Sequence, residues 1–221
     1  FYFQARINQL PLTALSDLTK GQFILSQGNL YGEISITGLT PSNPEINGFL
    51  NASNLSGTYT PISLEFTKGE ISTEFQEDGF KIKQGTAYAD RGKLKINGYG
   101  KRLFSESREI NIELEAENVS LYPVNNIFAN GDGKINLEFL RGLTNVKGDF
   151  LVKEATIFQS LRVKPSSKSS APPSNLNLLI NITSEGNTFL VNEVAEVEFK
   201  GKITFQMTEG KYFLDGTAEA I

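Results

Sequence analysis

Glu113, Glu115 and Glu117 stand at every second position, a spacing that places three carboxylates on one face of a β-strand. Neighbouring carboxylates can serve as general acid and general base, so this triplet is a first candidate for catalysis. Apolar residues such as Ile112 and Leu114 occupy the alternate positions. That alternation is typical of a strand with one solvated face. We therefore interpret the glutamates as a solvated face and expect no catalytic residues among them.

Lys81, Lys83, Lys93 and Lys95 show the same spacing on two neighbouring stretches and could form a cationic patch. Opposite charges that face each other across a sheet stabilise it, so pairing with glutamates of neighbouring strands is the favoured interpretation. The formal net charge of the chain is −4. Because a negative surplus opposes binding to a phosphate backbone, we expect no nucleic-acid partner.

Two short motifs could indicate a metal or a cofactor. The stretch 130–135 (NGDGKI) resembles the middle of a calcium loop, but the first and twelfth ligand positions would be Phe128 and Phe139, which cannot bind calcium. We predict a polar turn before a strand at this place. The stretch 98–100 (GYG) lacks the third glycine of the dinucleotide fingerprint. The sequence therefore predicts no metal site and no cofactor.

The chain of 221 residues contains no cysteine and no histidine. The absence of cysteine excludes disulfides, thiolate zinc sites and cysteine nucleophiles. The absence of histidine removes the commonest general base, the usual serine triad and nearly all transition-metal sites. We expect that the protein is not an enzyme.

The stretch 80–98 shows which elements hold the charged residues. Apolar residues alternate with the lysines from Phe80 to Ile82 and again from Leu94 to Ile96. Residues 89–92 (ADRG) lie between the two halves and can reverse the chain, with Gly92 free to take a positive φ. The pattern predicts a hairpin with one apolar and one polar face.

The same alternation recurs along the whole chain and predicts about sixteen short strands joined mainly by tight turns, hence an all-β, antiparallel protein. Residues 22–26 and 30–37 are predicted as separate strands, and residues 59–66 as one. A short helical turn is expected over 124–129. The Pro- and Ser-rich stretch 164–175 is predicted to be a flexible loop.

One face of nearly every predicted strand is apolar, and together these faces form the candidate site. Its residues are Phe23, Leu25, Ile34, Ile36, Ile62, Leu64, Phe66, Ile71, Phe80, Ile82, Leu94, Ile96, Ile110, Ile112, Leu114, Ile135, Leu137, Phe139, Phe150, Val152, Ile157, Leu178, Ile180, Ile182, Val197, Phe199, Ile203 and Phe205. A continuous apolar face must be covered by another sheet, by helices, by itself or by a ligand. No amphipathic helix long enough to cover it is predicted.

The residues leave two main alternatives open. In a β-sandwich or β-solenoid the apolar set forms an ordinary dry core, and the protein is a structural or adhesive stalk. In an open or U-shaped sheet the same residues line a groove that faces lipid. A glycan-binding or hydrolytic β domain that uses Asp and Glu is a third class, but the chain has no Trp for a sugar platform.

Several stretches resemble the TamB proteins of the AsmA-like superfamily, in the same order along the chain. Residues 39–48 (LTPSNPEING) are similar to the family passage Gly-x-Leu-Thr-Gly-Thr…Asn-Pro-x-Ile-x-Gly, with Gly38-Leu39-Thr40-Pro41 in place of the Gly-Thr step. Residues 148–158 (GDFLVKEATIF), 176–182 (LNLLINI), 189–192 (FLVN) and 195–203 (AEVEFKGKI) are similar to the C-terminal region of the family.

This resemblance implies a long antiparallel sheet that is folded lengthwise into a taco-like, U-shaped groove with an apolar interior. It implies that residues 1–221 form one elongated segment of a periplasmic protein that is anchored in the inner membrane. The implied function is to carry phospholipid acyl chains between the inner and outer membranes and to support outer-membrane protein assembly. The implied partners are phospholipid or another acyl-chain lipid, and an outer-membrane β-barrel reached through other parts of the parent chain.

The ends of the chain favour a piece of a longer protein. It does not begin with Met, and it ends within a predicted strand. No apolar run approaches the ~20 residues of a membrane-spanning helix, and the start lacks a signal-peptide pattern. We expect any anchor or export signal to lie in another part of the parent protein.

Overall fold

β-branched and aromatic residues at alternate positions build the protein almost entirely from strands. The computed structural model describes residues 1–13, 21–38, 44–124, 126–158 and 175–221. Its strands are β1 (Tyr2–Pro11), β2 (Phe23–Thr37), β3 (Glu45–Tyr59), β4 (Leu64–Gln76), β5 (Gly79–Ala89), β6 (Gly92–Lys101), β7 (Glu109–Val124), β8 (Ile127–Leu140), β9 (Leu143–Phe158), β10 (Leu176–Val191), β11 (Glu196–Thr208) and β12 (Lys211–Ala220). The all-β prediction is confirmed.

All twelve strands belong to one sheet, in which they lie in chain order from β1 to β12. β1 and β12 form its two edges, so the sheet is not closed into a barrel. Every neighbouring pair is antiparallel except β9 and β10, which run in the same direction with Leu176 beside Thr144. The sheet is therefore mixed, and the prediction of a wholly antiparallel sheet is wrong. A parallel pair requires a long connection instead of a hairpin turn, and residues 159–175 supply it.

The strands are fewer and longer than predicted because β-bulges interrupt the alternation without ending the strand. Residues 22–26 and 30–37 belong to one strand, β2, whose pairing with β3 shifts on either side of Gln27. On β3 and β7 the shifts coincide with Asn54 and Asn118, whose φ angles are 53° and 54°. Asparagine tolerates this left-handed conformation, and the extra residue reverses which positions face the apolar side.

Three local predictions are wrong. The helical turn expected over 124–129 is instead the passage from β7, which ends at Val124, to β8, which begins at Ile127. The polar turn expected at 130–135 lies inside β8. The strand expected over 59–66 is broken by a short 3-10 helix, Thr60–Ile62, because Pro61 cannot donate to a sheet. The predicted flexible loop lies outside the described residues except for Asn175.

The β5–β6 hairpin is confirmed, with Ala89 paired to Gly92 across a two-residue turn. The positive φ of this turn lies on Asp90, at 52°, and not on Gly92 as predicted. Gly92 is needed for a different reason, since a Cβ there would meet the backbone oxygens of Glu117 and Asn118. The tip of the hairpin therefore lies tightly against β7.

A single sheet buries few side chains completely. Among the residues whose burial is described, the buried apolar ones are Leu12, Leu55, Ala89, Val119, Ala155 and Met207. Among the described residues, no helix is long and apolar enough to cross a membrane.

Candidate functional site

Cross-strand pairing assembles one apolar face from all twelve strands, because residues that are paired across a sheet project from the same side. One row of paired residues crosses the entire sheet: Ile7, Gly32, Leu50, Thr73, Ile82, Gly98, Ile112, Leu137, Val146, Leu178, Met207 and Tyr212. We call the side that carries this row the apolar face and the opposite side the polar face.

Every predicted lining residue that belongs to a strand lies on the apolar face. A second row joins Ile96, Leu114, Ile135, Gly148, Ile180 and Phe205, and a third joins Leu94, Ala116, Gly133, Phe150, Ile182 and Ile203. The remaining strand residues of the set follow the same registers, including Phe23 and Leu25 on β2, Phe66 on β4 and Ile157 on β9. Ile62 belongs to the 3-10 helix and faces these rows across a cavity.

The charged residues occupy the polar face, opposite the apolar rows. Lys93 lies across from Glu117, and Lys95 lies across from Glu115. The Nζ atom of Lys134 is 2.8 Å from a carboxylate oxygen of Glu113 and 3.4 Å from one of Glu115. Its hydrogen bond to Glu113 raises the pKa of Lys134 above the usual value of lysine. Glutamates and lysines thus alternate across the polar face, as expected of a solvated face.

Glycines on the apolar face allow large neighbours to lie flat against the sheet. At Gly133, an added Cβ would come within 2.6 Å of the Phe150 ring on the neighbouring strand. The Phe80 ring covers Gly100 in the same manner. These two rings therefore lie along the sheet and do not stand up from it.

A cavity of about 300 Å³ lies between the 3-10 helix and the apolar face of β6 to β9. Ile62 and Leu64 border it on one side, and Leu114, Val119 and Phe150 are among the residues on the other. Asn130 and Asp132 also border it, but they alternate with Gly131 and Gly133, so their side chains project from the polar face. Apolar side chains and glycine backbone therefore dominate the lining, and we call this space the clamp cavity.

The clamp cavity exists because the β5–β6 hairpin is short. β5 ends at Ala89, while β7 continues to Val124, and the β3–β4 connection also extends beyond the hairpin tip. The 3-10 helix contacts β7 across this gap, although β5 and β6 separate β4 from β7 in the sheet. The Ser120 hydroxyl is 2.8 Å from a carboxylate oxygen of Asp90 and holds the hairpin tip against β7.

Three residues of the apolar face were missed by the sequence pattern: Leu55, Val119 and Leu121. Leu55 and Val119 are buried, and both Val119 and Leu121 line the clamp cavity. The sequence does contain a sign of these residues on β7: the alternation of apolar residues breaks there, because Val119 follows Ala116 by three positions with Asn118 between them. Such a break in an alternating pattern, at a residue that accepts a positive φ, indicates a bulge inside a continuing strand.

The polar face carries its own cleft, of about 530 Å³, but its charges compensate one another. Lys93, Lys95 and Lys134 border it together with Glu115, Glu117 and Asp132. The Nζ atom of Lys153 is 2.7 Å from Asp132 Oδ1, and this hydrogen bond lowers the pKa of Asp132. Within the described part of the chain, no group of three acidic residues could hold a metal ion.

Comparison with known proteins yields no match: no family model, no curated protein and no solved structure resembles the chain at a significant level. The resemblance to the TamB proteins therefore rests on the sequence stretches described above and stays a hypothesis.

Proposed function

We propose that the apolar face lines a groove that carries the acyl chains of phospholipids. In this proposal the sheet is folded lengthwise, in a taco-like U shape, so that its apolar face becomes the interior. The chain would be a periplasmic segment of a TamB-like protein that is anchored in the inner membrane. Such a segment would pass lipid between the inner and outer membranes and support outer-membrane protein assembly, with a β-barrel partner bound by other parts of the parent chain.

One observation carries the proposal, namely that a single sheet of twelve strands collects the apolar residues of its strands on one face. Val197 and Ile203 on this face remain 40% and 41% exposed, and Leu214 remains 74% exposed. Apolar area of this extent is unfavourable in water and indicates a surface that binds something apolar. The alternative is a stalk whose apolar face is dry, covered by parts of the protein outside the described residues.

The two functions differ in whether lipid reaches the apolar face. A photo-crosslinking amino acid is placed at Ile82 or Ile96, with matched positions Lys81 and Lys95 on the polar face, and the protein is exposed to phospholipid vesicles. Lipid adducts at Ile82 and Ile96 alone would support the groove. Adducts at all four positions or at none would favour the stalk, as would the absence of lipid in mass spectra of extracts from the purified protein.

A further inference from the structure

We propose that the clamp cavity is a binding site for one alkyl chain, and that the 3-10 helix Thr60–Ile62 is the lid that holds the chain in place. This inference rests on the proposed function, because it names the place where an acyl chain is enclosed and not merely laid on an open face.

The dimensions of the clamp cavity suit a single chain. Ligand sites commonly have volumes of roughly 300–1,000 Å³, and the clamp cavity, at about 300 Å³, lies at the lower end. A lipid with two tails would therefore place one tail beneath the lid and leave the other on the open part of the face.

The chemistry of the lining also favours an alkyl chain. Ile62, Leu94, Leu114, Ile135 and Val152 supply aliphatic contacts, and Phe150 supplies a ring. The polar groups of the bordering Asn130 and Asp132 make hydrogen bonds outside the cavity. Asn130 donates to the Ser120 hydroxyl, and Asp132 accepts from Lys153. A sugar, a peptide backbone or a charged headgroup would find no hydrogen-bonding side chain directed into the cavity from these residues.

The lid is held in a defined position. The hydroxyl of Thr60 donates to the backbone oxygen of Gly21 at 2.9 Å, and the Thr60 amide donates to Gln22 at 3.0 Å. Beside it the Tyr59 ring lies 4.6 Å from the Phe23 ring, and Ser63 ends the helix with a φ of 50°. These contacts anchor the lid at Tyr59 and Thr60, and Ile62 borders the cavity opposite the side chains of β7.

The test measures binding of cis-parinaric acid, a fluorescent fatty acid with one chain, to the whole 221-residue protein. Ala116→Leu adds volume inside the cavity, since Ala116 belongs to its lining. Ala218→Leu makes the same change on the apolar face near the β12 edge, outside the cavity. We expect Ala116→Leu to weaken binding at least tenfold and Ala218→Leu to change it less than twofold. Equal affinities for the two variants would overturn the proposal.

A lid variant keeps the test decisive if Ala116→Leu does not fold. Ile62→Ser removes the apolar tip of the lid from a half-buried position, so the strands should be unaffected. We expect at least fivefold faster release of the probe in stopped-flow measurements, with an unchanged far-ultraviolet circular dichroism spectrum. Unchanged release would show that the 3-10 helix is not a lid. Absence of probe binding by the unmodified protein would instead refute the proposed groove function itself.

Discussion

The apolar face has two parts that differ in cover although their sequences are alike. Around the clamp cavity Ala89 and Val119 are only 1% and 3% exposed, whereas on β11 Val197 and Ile203 are 40% and 41% exposed, although Met207 near the end of that strand is buried. Each of these strands alternates apolar and polar residues in the same manner. Residue type therefore does not determine which part is covered. The difference arises from strand length, because only the short β5–β6 hairpin leaves room for the β3–β4 connection to reach β7.

We call the part of the apolar face around the clamp cavity the covered part and the part on β11 the uncovered part. A charge introduced into the covered part should destabilise the protein as it would in a core, whereas a charge in the uncovered part should act as it would on a surface. Val119→Asp places a carboxylate at a buried site without a partner, and we expect a loss of several kcal/mol or failure to fold. Ile203→Asp makes a similar change at an exposed site and should cost less than about 1 kcal/mol. Urea denaturation of both variants measures the difference. Equal destabilisation would show that β11 is covered in the folded protein and that the two parts of the apolar face do not differ in cover.

Ile96 lies between these extremes, since it is half-buried beside the covered part. In a groove, the carboxylate of Ile96→Asp can reach water, so the fold should survive with a midpoint of thermal unfolding within a few degrees of the unmodified protein. Lipid binding should fall, because an acyl chain cannot solvate the charge. The measurements are differential scanning fluorimetry and lipid extraction. Aggregation of this variant and of Leu94→Asp and Ile112→Asp would identify a dry core at this part of the sheet.

The sequence predicts the two faces well because the side-chain period of a strand is fixed at two. Ile110, Ile112 and Leu114 illustrate this, since their alternation with the glutamates suffices to assign both sides of β7. The covered part could not be predicted in the same way. It depends on the lengths of β5 and β6 relative to β7, and the bulge at Asn118 conceals the continuation of β7 to Val124.

The parallel β9–β10 pair was also beyond sequence reasoning. Alternation reveals the faces of a strand but not its direction, and tight turns elsewhere favour the antiparallel arrangement. Two side-chain hydrogen bonds support the register of this pair. The amide of Asn177 donates to Asn145 Oδ1 at 2.9 Å, and that of Asn181 donates to Asp149 Oδ1 at 2.8 Å. These bonds lie on the polar face and stabilise the attachment of β10 to β9 from that side.

Removing one of these amides should weaken the uncovered part alone. We expect Asn177→Ala to cost about 1 kcal/mol, the usual net value of one hydrogen bond. Asn97→Ala on β6 is the matched control, since within the described residues the Asn97 side chain makes no hydrogen bond. Hydrogen exchange should show faster opening of β10 and β11 in Asn177→Ala, with β6 to β8 unchanged. Uniform acceleration over all strands would contradict separate stabilisation of the two parts.

The smallest expected effect concerns Asp132, which supports the covered part from the polar face. Its Oδ1 atom accepts hydrogen bonds from Lys153 Nζ at 2.7 Å and from the backbone amide of the bulge residue Asn118 at 2.8 Å. Both bonds favour the ionised carboxylate, and the one from Lys153 is the larger cause of the lowered pKa. Because the pKa of Asp132 is lower in the folded state than its unfolded value of about 3.9, the ionised carboxylate stabilises the fold at any pH above that value. That contribution is lost as the pH falls through the lower folded pKa.

Lys153→Gln removes the larger cause and leaves the bond from Asn118. The pair is partly exposed, with side-chain exposures of 43% and 37%, and exposed pairs contribute roughly 0.2–1 kcal/mol. We therefore expect a small deficit in unfolding free energy at pH 7 that shrinks when urea denaturation is repeated below about pH 4. Lys147→Gln, on the same face of β9, should show no such pH-dependent deficit. A deficit for Lys153→Gln that is the same at pH 7 and pH 3 would mean that the lysine acts through its aliphatic chain.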